Sequence, residues 1–429
     1  MMKADWHPRW EREDSSPAFA SPPLAHNPHN PFGEDKWLWG NVPAVDILKL
    51  VDNEGENYSE NIAILFAASG DLRNVVKTIS QLPDAFTQHL EVTINDQEFH
   101  VVARNAIILL FILTMLEDKD APVGGSKATD SLIHLWYSAS LPNGIISDIA
   151  SRVHPLIIEV CCGVSDMAAE EVVEKTWIFS HGNSLHLSLK KEDWFRMQAL
   201  CRVPPDLTKD KASKIRTATT LADARRDFRD RWAFKEASPS ARVSKQKFRE
   251  DGLLLPFAHN RAGFDIPNPT FFLRPFSWPL DDKRDPMDGW SIIEVYGVKT
   301  VAKEDIYGKL YLYLQSVFRK FLDRLSAANV SNITDGTYLG TRQTLNIMSQ
   351  LLQPTHKNSH AIIIASYLNA VMEMVTQGSE TDKVPDIDLL VTHFPKLNLL
   401  SFLQPESADA LRIWDARTVV LDRDKFFER

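Results

Sequence analysis

Apolar residues fall into three patterns along this chain. Short unbroken apolar runs stand at residues 61–67 (NIAILFA) and 360–365 (HAIIIA), with the length and texture of strands buried on both faces. Helical spacing runs through 72–82, where Leu72, Val75, Val76 and Ile79 share one side. It returns over 305–325, where Tyr307, Leu310, Tyr311, Leu314, Phe318, Phe321 and Leu325 do the same. The third pattern, 99–116, is apolar nearly all round. Its centre, AIILLFILTML at 106–116, lies between Arg104 and Glu117 and is too short to cross a bilayer, which predicts a buried helix.

Taken in order, these patterns predict a strand at 61–67, a tight turn at Ser69-Gly70-Asp71 and a helix at 72–82. A second strand at 88–95 and the helix at 99–116 follow. That is a βαβα unit, with parallel strands and a right-handed crossover. Residues 130–165 read as helical. The stretches 176–179 and 184–189 flank His181-Gly182-Asn183 as a β-hairpin. Residues 190–250 read as charged helices, and 251–290, rich in Pro, Phe and Trp, as an irregular segment packed on a core. A second α/β signature follows, with a strand at 329–333, a turn at Thr334-Asp335-Gly336, a helix at 341–352 and a strand at 360–365. The expected architecture is a split α/β domain of 37–120 and 300–429. A mostly helical insertion of 121–299 separates the halves, and a proline-rich tail of 1–35 precedes them.

Composition narrows the class. The chain has 429 residues, 44% of them hydrophobic and 24% charged, as in a globular protein with a large core. The net charge of −9 gives no general electrostatic reason to bind nucleic acid. The mean conceals an asymmetry. Residues 202–250 hold 14 Lys/Arg and 7 Asp/Glu, a local +7 that leaves −16 for the remainder. Asp223, Asp227 and Asp230 sit among Arg225, Arg226, Arg229 and Arg231 at helical ion-pair spacing, so the stretch is expected to dock on the acidic remainder. RNA or an acidic partner is the alternative reading. Three cysteines leave no room for a disulfide framework. With no apolar leader at the start, the chain is expected in a reducing, cytoplasmic compartment.

Candidate chemistry concentrates at strand ends. Ser69, Gly70 and Asp71 lie where a first strand hands over to its helix, the usual place for a phosphate or cofactor. The turn has one glycine, and Asp71 can equally serve as a helix cap. Asp96 ends the second strand, where a carboxylate can accept ribose hydroxyls or form an Asx turn. Asn332 and Asp335 end the third predicted strand, as crevice groups or as turn chemistry around Gly336. His154, His181 and His186 have no partners at zinc spacing, and Cys161 and Cys162 read as inert core thiols. HExxH, GxSxG and a Walker A loop are absent.

The stretches WLWGNVPAVDIL, ILFAASGDLRNVVKTI, INDQEFHVVARNAIILL, FREDGLLLPF and NVSNITDGTYLG together resemble a fungal family, the domain of unknown function numbered 4470. Members are often joined to a MYND zinc finger, and the N-terminal domain is similar to that of the axonemal dynein assembly factor family. The resemblance implies a Rossmann-like fold related to S-adenosylmethionine-dependent methyltransferases, with the SGD turn in the place of the methionine-binding loop. Ser69, Gly70, Asp71 and Arg73 match the family's turn, and Asp96 its acid after the second strand. Arg104 and Asn105 match a helix pair, and Ser331, Asn332 and Asp335 the later strand. Two departures stand out. Three cysteines cannot supply the roughly eight ligands of a two-zinc finger. Also, only Ser326, Ala327 and Ala328 separate the long helix from NVSNITD, where relatives carry another strand and helix.

Two functions follow as expectations. One is a non-catalytic protein-interaction or assembly module with a protein partner, no metal and no membrane. The other is an S-adenosylmethionine-dependent methyltransferase, or another small-molecule transferase of fungal metabolism. Its cofactor would sit on Ser69, Gly70, Asp71, Asp96, Asn332 and Asp335.

Overall fold

The computed structural model describes residues 9–12, 32–34, 36–118, 126–229, 234, 237–272, 276–299, 304–327, 330–335, 363–366, 411–415 and 418–421. The chain divides into two units, Met1–Thr337 and Tyr338–Arg429.

The first unit is built on a mixed sheet. Its strands are β1 (Ile62–Ala67), β2 (Leu90–Asn95), β4 (Val172–Ile178), β5 (Ser184–Lys190) and β7 (Val330–Asp335). Two shorter strands, β3 (Ser140–Pro142) and β6 (Phe264–Pro267), pair antiparallel in a small separate ribbon. The order is β1-β2-β7-β5-β4. The first four are mutually parallel and β4 runs antiparallel to β5. The βαβ prediction therefore holds for β1, the helix Arg73–Ser80 and β2.

The predicted hairpin forms as well, but it does not stand apart. Through the β5–β7 pairing it completes the main sheet, so the segment expected as an insertion supplies two strands. Its alternation SLHLSLK puts Leu185, Leu187 and Leu189 on the buried face. Phe66, Leu90, Val92, Ile94, Val173 and Trp177 are likewise buried.

β1 departs from its expectation of burial on both faces. It is an edge strand among the described residues, and Ala63 and Leu65 are exposed, alternating with half-buried Ile62 and Ile64 and buried Phe66. The composition of NIAILFA misleads because small alanines on the open side look the same in sequence as residues packed under a second layer.

Helices cover the buried face. Phe99–Leu116 lies on β7 and β5. By length and hydropathy it could cross a membrane, but 89% of it is buried inside the protein. The helix Ile306–Ala327 packs against Arg73–Ser80 and Ser126–Tyr137. Its predicted stripe is buried throughout, and Phe318 stacks on Trp136 at 5.5 Å. The helical run from Asn143 to Gly163 contains a π-turn at Ile149–Val153. Pro155 comes two residues after the π-turn and lacks the N–H that regular winding would use, so the wider turn relieves the ladder there.

The irregular segment 251–290 packs inward, as its composition predicts, burying Leu254, Phe271, Phe272, Trp278, Leu280 and Trp290. The expected tail reaches less far than residue 35. The Phe32 N–H donates to Asp282 Oδ1 at 3.0 Å and its carbonyl accepts from Asp282 N at 2.9 Å.

The second unit contains β8 (Ile363–Ser366), β9 (Leu411–Asp415) and β10 (Thr418–Leu421). They form their own antiparallel sheet in the order β8-β10-β9. The strand predicted at 360–365 thus joins a sheet separate from β1 and β2. The helix predicted at 341–352 lies outside the described residues, as do most of 1–35 and the turn glycine Gly336.

Candidate functional site

The turn after β1 is held in a conformation that the sequence makes costly. Ala68 has φ 53° and Gly70 φ 59°. Glycine enters the left-handed region without strain, whereas alanine does so at a cost of about 1 kcal/mol or more. Something must hold Ala68 there, and the hydrogen bonds around it show what. The Ser69 N–H donates to Asn95 O at 2.9 Å, and the Gly70 N–H to Asp96 Oδ2 at 2.8 Å. Asp96 Oδ1 accepts from Glu98 N at 2.9 Å, opening the next helix. The Gly70 carbonyl accepts from Asn105 Nδ2 at 2.8 Å.

Asp71 points the other way. Its Oδ2 accepts from Gly40 N at 2.9 Å, and its Oδ1 takes the Arg73 guanidinium and, at 3.4 Å, Arg73 N. Arg73 Nε donates to Val42 O at 2.8 Å. Asp71 and Arg73 are both buried. The lead segment around residues 38–45 is thus clasped over the first β–α turn, and Val45 N donating to Asn74 Oδ1 at 3.0 Å extends the clasp. Gly40 is glycine because of this approach. A Cβ there would lie 2.1 Å from Arg73 Cζ. Gly40→Ala is expected to displace the guanidinium and lower stability by about 1–3 kcal/mol, measured as a fall in the urea midpoint.

Arg104 locks the same region from below. It is wholly buried in the helix Phe99–Leu116. Its Nε donates to Thr270 Oγ1 at 3.1 Å, Nη1 to Leu38 O at 3.3 Å, and Nη2 to Leu135 O at 3.0 Å and to Trp136 O. The guanidinium lies over the Phe271 ring, 4.2 Å from its centroid. Burial pulls its pKa down to about 9, against the raising influence of Tyr137 and Asp71, so it stays cationic at neutral pH. Asn268 completes the network, donating to Leu135 O and Ser138 O at 2.9 Å and accepting from Thr270. Trp39 Nε1 donates to Trp136 O at 3.1 Å.

Ser69, Gly70, Asp71 and Asp96 therefore come together, with their polar atoms bonded to one another and to the lead segment. Asp335 ends β7 opposite Asn95, so the ends of β2 and β7 are level, while Asn332 pairs with Val92 and Leu185 inside the sheet. Gly40, Asn268 and Thr270 escaped the sequence reading. Gly40 sits in WLWG and the other two in PNPT, and neither short stretch carries a recognisable chemical pattern.

Four arginines of the basic stretch turn inward. Arg225 donates to Asp282 at 2.7 Å through Nε and 3.3 Å through Nη2, with both side chains buried. Arg216 Nη1 reaches Arg249 O at 2.9 Å, and Arg249 Nη1 reaches Thr220 O and Asp282 O at 3.2 and 3.0 Å. Arg229 Nη1 donates to Ala222 O at 2.7 Å. Between Arg216, Arg249, Arg284, Asp281, Asp285 and Tyr307 lies a cavity of about 20 Å³, room for about one water.

No group of three His, Cys, Asp or Glu able to hold a metal occurs among the described residues. His100 and His134 are buried and neutral. Burial pulls each down to about 4, and for His100 the hydrogen bond to Thr270 O opposes it only in part. Asp288 is pushed up to about 7 by burial and then by Asp285, so it titrates in the opposite sense. Histidines in the unfolded chain protonate near 6.5, whereas these stay neutral to about 4. Between those values the unfolded state binds more protons, and stability falls as pH falls. A His100→Gln/His134→Gln variant should show a stability–pH slope between pH 6.5 and 4 that is flatter by up to about two protons than the wild type's. Equal slopes in urea titrations across that window would refute the neutral assignment.

No curated protein and no solved structure matches the chain. Residues 38–141, which carry the clasp, the strained turn and Arg104, match the family described as a domain of unknown function (DUF4470).

Proposed function

We propose that this chain is a non-catalytic, Rossmann-like interaction or assembly module of the cytoplasm, acting through a protein partner. The observation that carries the reading is the consumption of the turn. A cofactor cradle needs backbone N–H groups pointing into open space. Here the Gly70 N–H is spent on Asp96, both Asp96 oxygens accept backbone N–H groups, and the lead segment is clasped to Asp71 and Arg73. The strand order supports it too. In doubly wound sheets ligands bind where the order reverses, next to an internal first strand, whereas β1 is at the edge of the described sheet. The inward use of Arg216, Arg225, Arg229 and Arg249 argues against a nucleic-acid surface.

The second reading, an S-adenosylmethionine-dependent methyltransferase, draws on one observation. The turn, Asp96 and the end of β7 at Asp335 lie at the same end of the sheet. Calorimetric titration with S-adenosylmethionine and S-adenosylhomocysteine separates the two. No heat and no thermal shift at millimolar ligand is the expected result. Micromolar binding that Asp96→Ala abolishes would overturn the interaction-only reading.

A further inference from the structure

Among the described residues, β1 leaves one side of its backbone unused. The Ile62 N–H donates to His89 O at 3.0 Å, and the parallel register then turns the N–H and C=O groups of residues 62, 64 and 66 toward β2. Those of Ala63, Leu65 and Ala67 face outward, where no described strand pairs with them. Ala63 is exposed and Leu65 is 36% exposed, so side chains do not shield this edge. Natural edge strands are usually blunted by a charge, a proline or a bulge. Residues 62–67 have none, and the β1–β2 register is unbroken.

The approach to the edge is acidic. Between residues 50 and 70 the chain carries Asp52, Glu54, Glu56 and Glu60 and no Lys, Arg or His. Asp52, Glu56 and Glu60 are exposed. Tyr58, in their midst, has its phenol pushed up by burial and then by Glu54 and Glu60. The nearest following base, Arg73, is engaged with Asp71.

We propose that the outer edge of β1 is a strand-addition site for an extended apolar segment of a partner protein flanked by Lys or Arg. Main-chain hydrogen bonds to Ala63, Leu65 and Ala67 supply the affinity, and the acids at 52–60 select the basic flank. A second copy is the poorer occupant, because its own residues 50–70 would bring no base to those acids. The proposal deepens the interaction-module reading and rests on it.

The test uses the full chain and a short peptide of alternating valine and threonine with lysines at both ends. Micromolar, salt-weakened binding is expected by fluorescence anisotropy, with slowed hydrogen exchange at the amides of Ala63, Leu65 and Ala67. Leu65→Pro removes an outward N–H while sparing the β2 ladder and should weaken binding at least about tenfold. Should that variant fail to fold, Glu56→Lys/Glu60→Lys on the exposed loop should weaken it comparably. No binding at millimolar peptide, binding indifferent to the charge reversal, or amides at 63, 65 and 67 already protected in the free chain would each overturn the site. So would self-association that depends on Leu65 without peptide binding. These outcomes are separate from the cofactor titration, whose positive result would instead overturn the interaction-only reading.

Discussion

Asp282→Ala is expected to lower stability by about 3–5 kcal/mol, enough to threaten folding at 37 °C in a domain of ordinary stability. The carboxylate sits at a junction of three segments. It accepts from Arg225 through two nitrogens and from the Phe32 N–H, and the Asp282 carbonyl accepts from Arg249. The side chains of Arg225 and Asp282 are only 2% and 1% exposed. Removing the acid leaves a guanidinium that water cannot reach to compensate, whereas an exposed ion pair would cost less than about 1 kcal/mol. Urea unfolding should show the fall as a lower midpoint at unchanged slope. The double variant Arg225→Met/Asp282→Leu should recover most of the loss, because the penalty belongs to the unmatched charge. A loss under about 1 kcal/mol for Asp282→Ala alone would mean that the stretch 202–250 is not anchored there.

Arg104→Met is expected to cost a similar amount, about 3–5 kcal/mol, for a different reason. No carboxylate bonds to this guanidinium. It satisfies the carbonyls of Leu38, Leu135 and Trp136 and the Thr270 hydroxyl, all from one fork. Leu135 O and Trp136 O keep the donors Asn268 Nδ2 and Trp39 Nε1, so the loss falls on Leu38 O and Thr270 Oγ1. Each buried acceptor left unmet costs about 1–3 kcal/mol, offset in part by no longer burying a charge. Arg104→Lys should recover little, since a single ammonium cannot span four acceptors on three segments. Hydrogen exchange should quicken around Leu38 and Trp136 in both variants. If lysine restores full stability, the fork geometry is not what matters.

Much of the molecule is legible in the sequence, and the reasons differ by element. Leu72, Val75, Val76 and Ile79 announce their helix because burial demands one apolar side every 3.6 residues. SLHLSLK announces β5 for the same reason at period two. The candidate turn is legible too, since strand, glycine and helix follow one another at Ser69-Gly70-Asp71. Its occupancy is not. Gly40 approaches Asp71 from 31 residues away, Thr270 meets Arg104 from 166 away, and Asn268 meets Leu135 from 133 away. Long-range hydrogen bonds leave no period in the chain. The basic stretch shows both sides of this. Its charge and its ion-pair spacing predict docking, yet they do not point to Asp282, the buried partner that Arg225 takes 57 residues away.

By itself, then, the sequence determined the local elements of this protein, its βαβ start and its hairpin. Periodicity and charge balance are properties of neighbouring residues. Only the tertiary structure decided that the hairpin joins the main sheet, that β1 is an edge among the described residues and that the SGD turn is closed by its own chain. Those outcomes depend on which distant groups meet, and a buried donor bonds whichever acceptor the packing delivers.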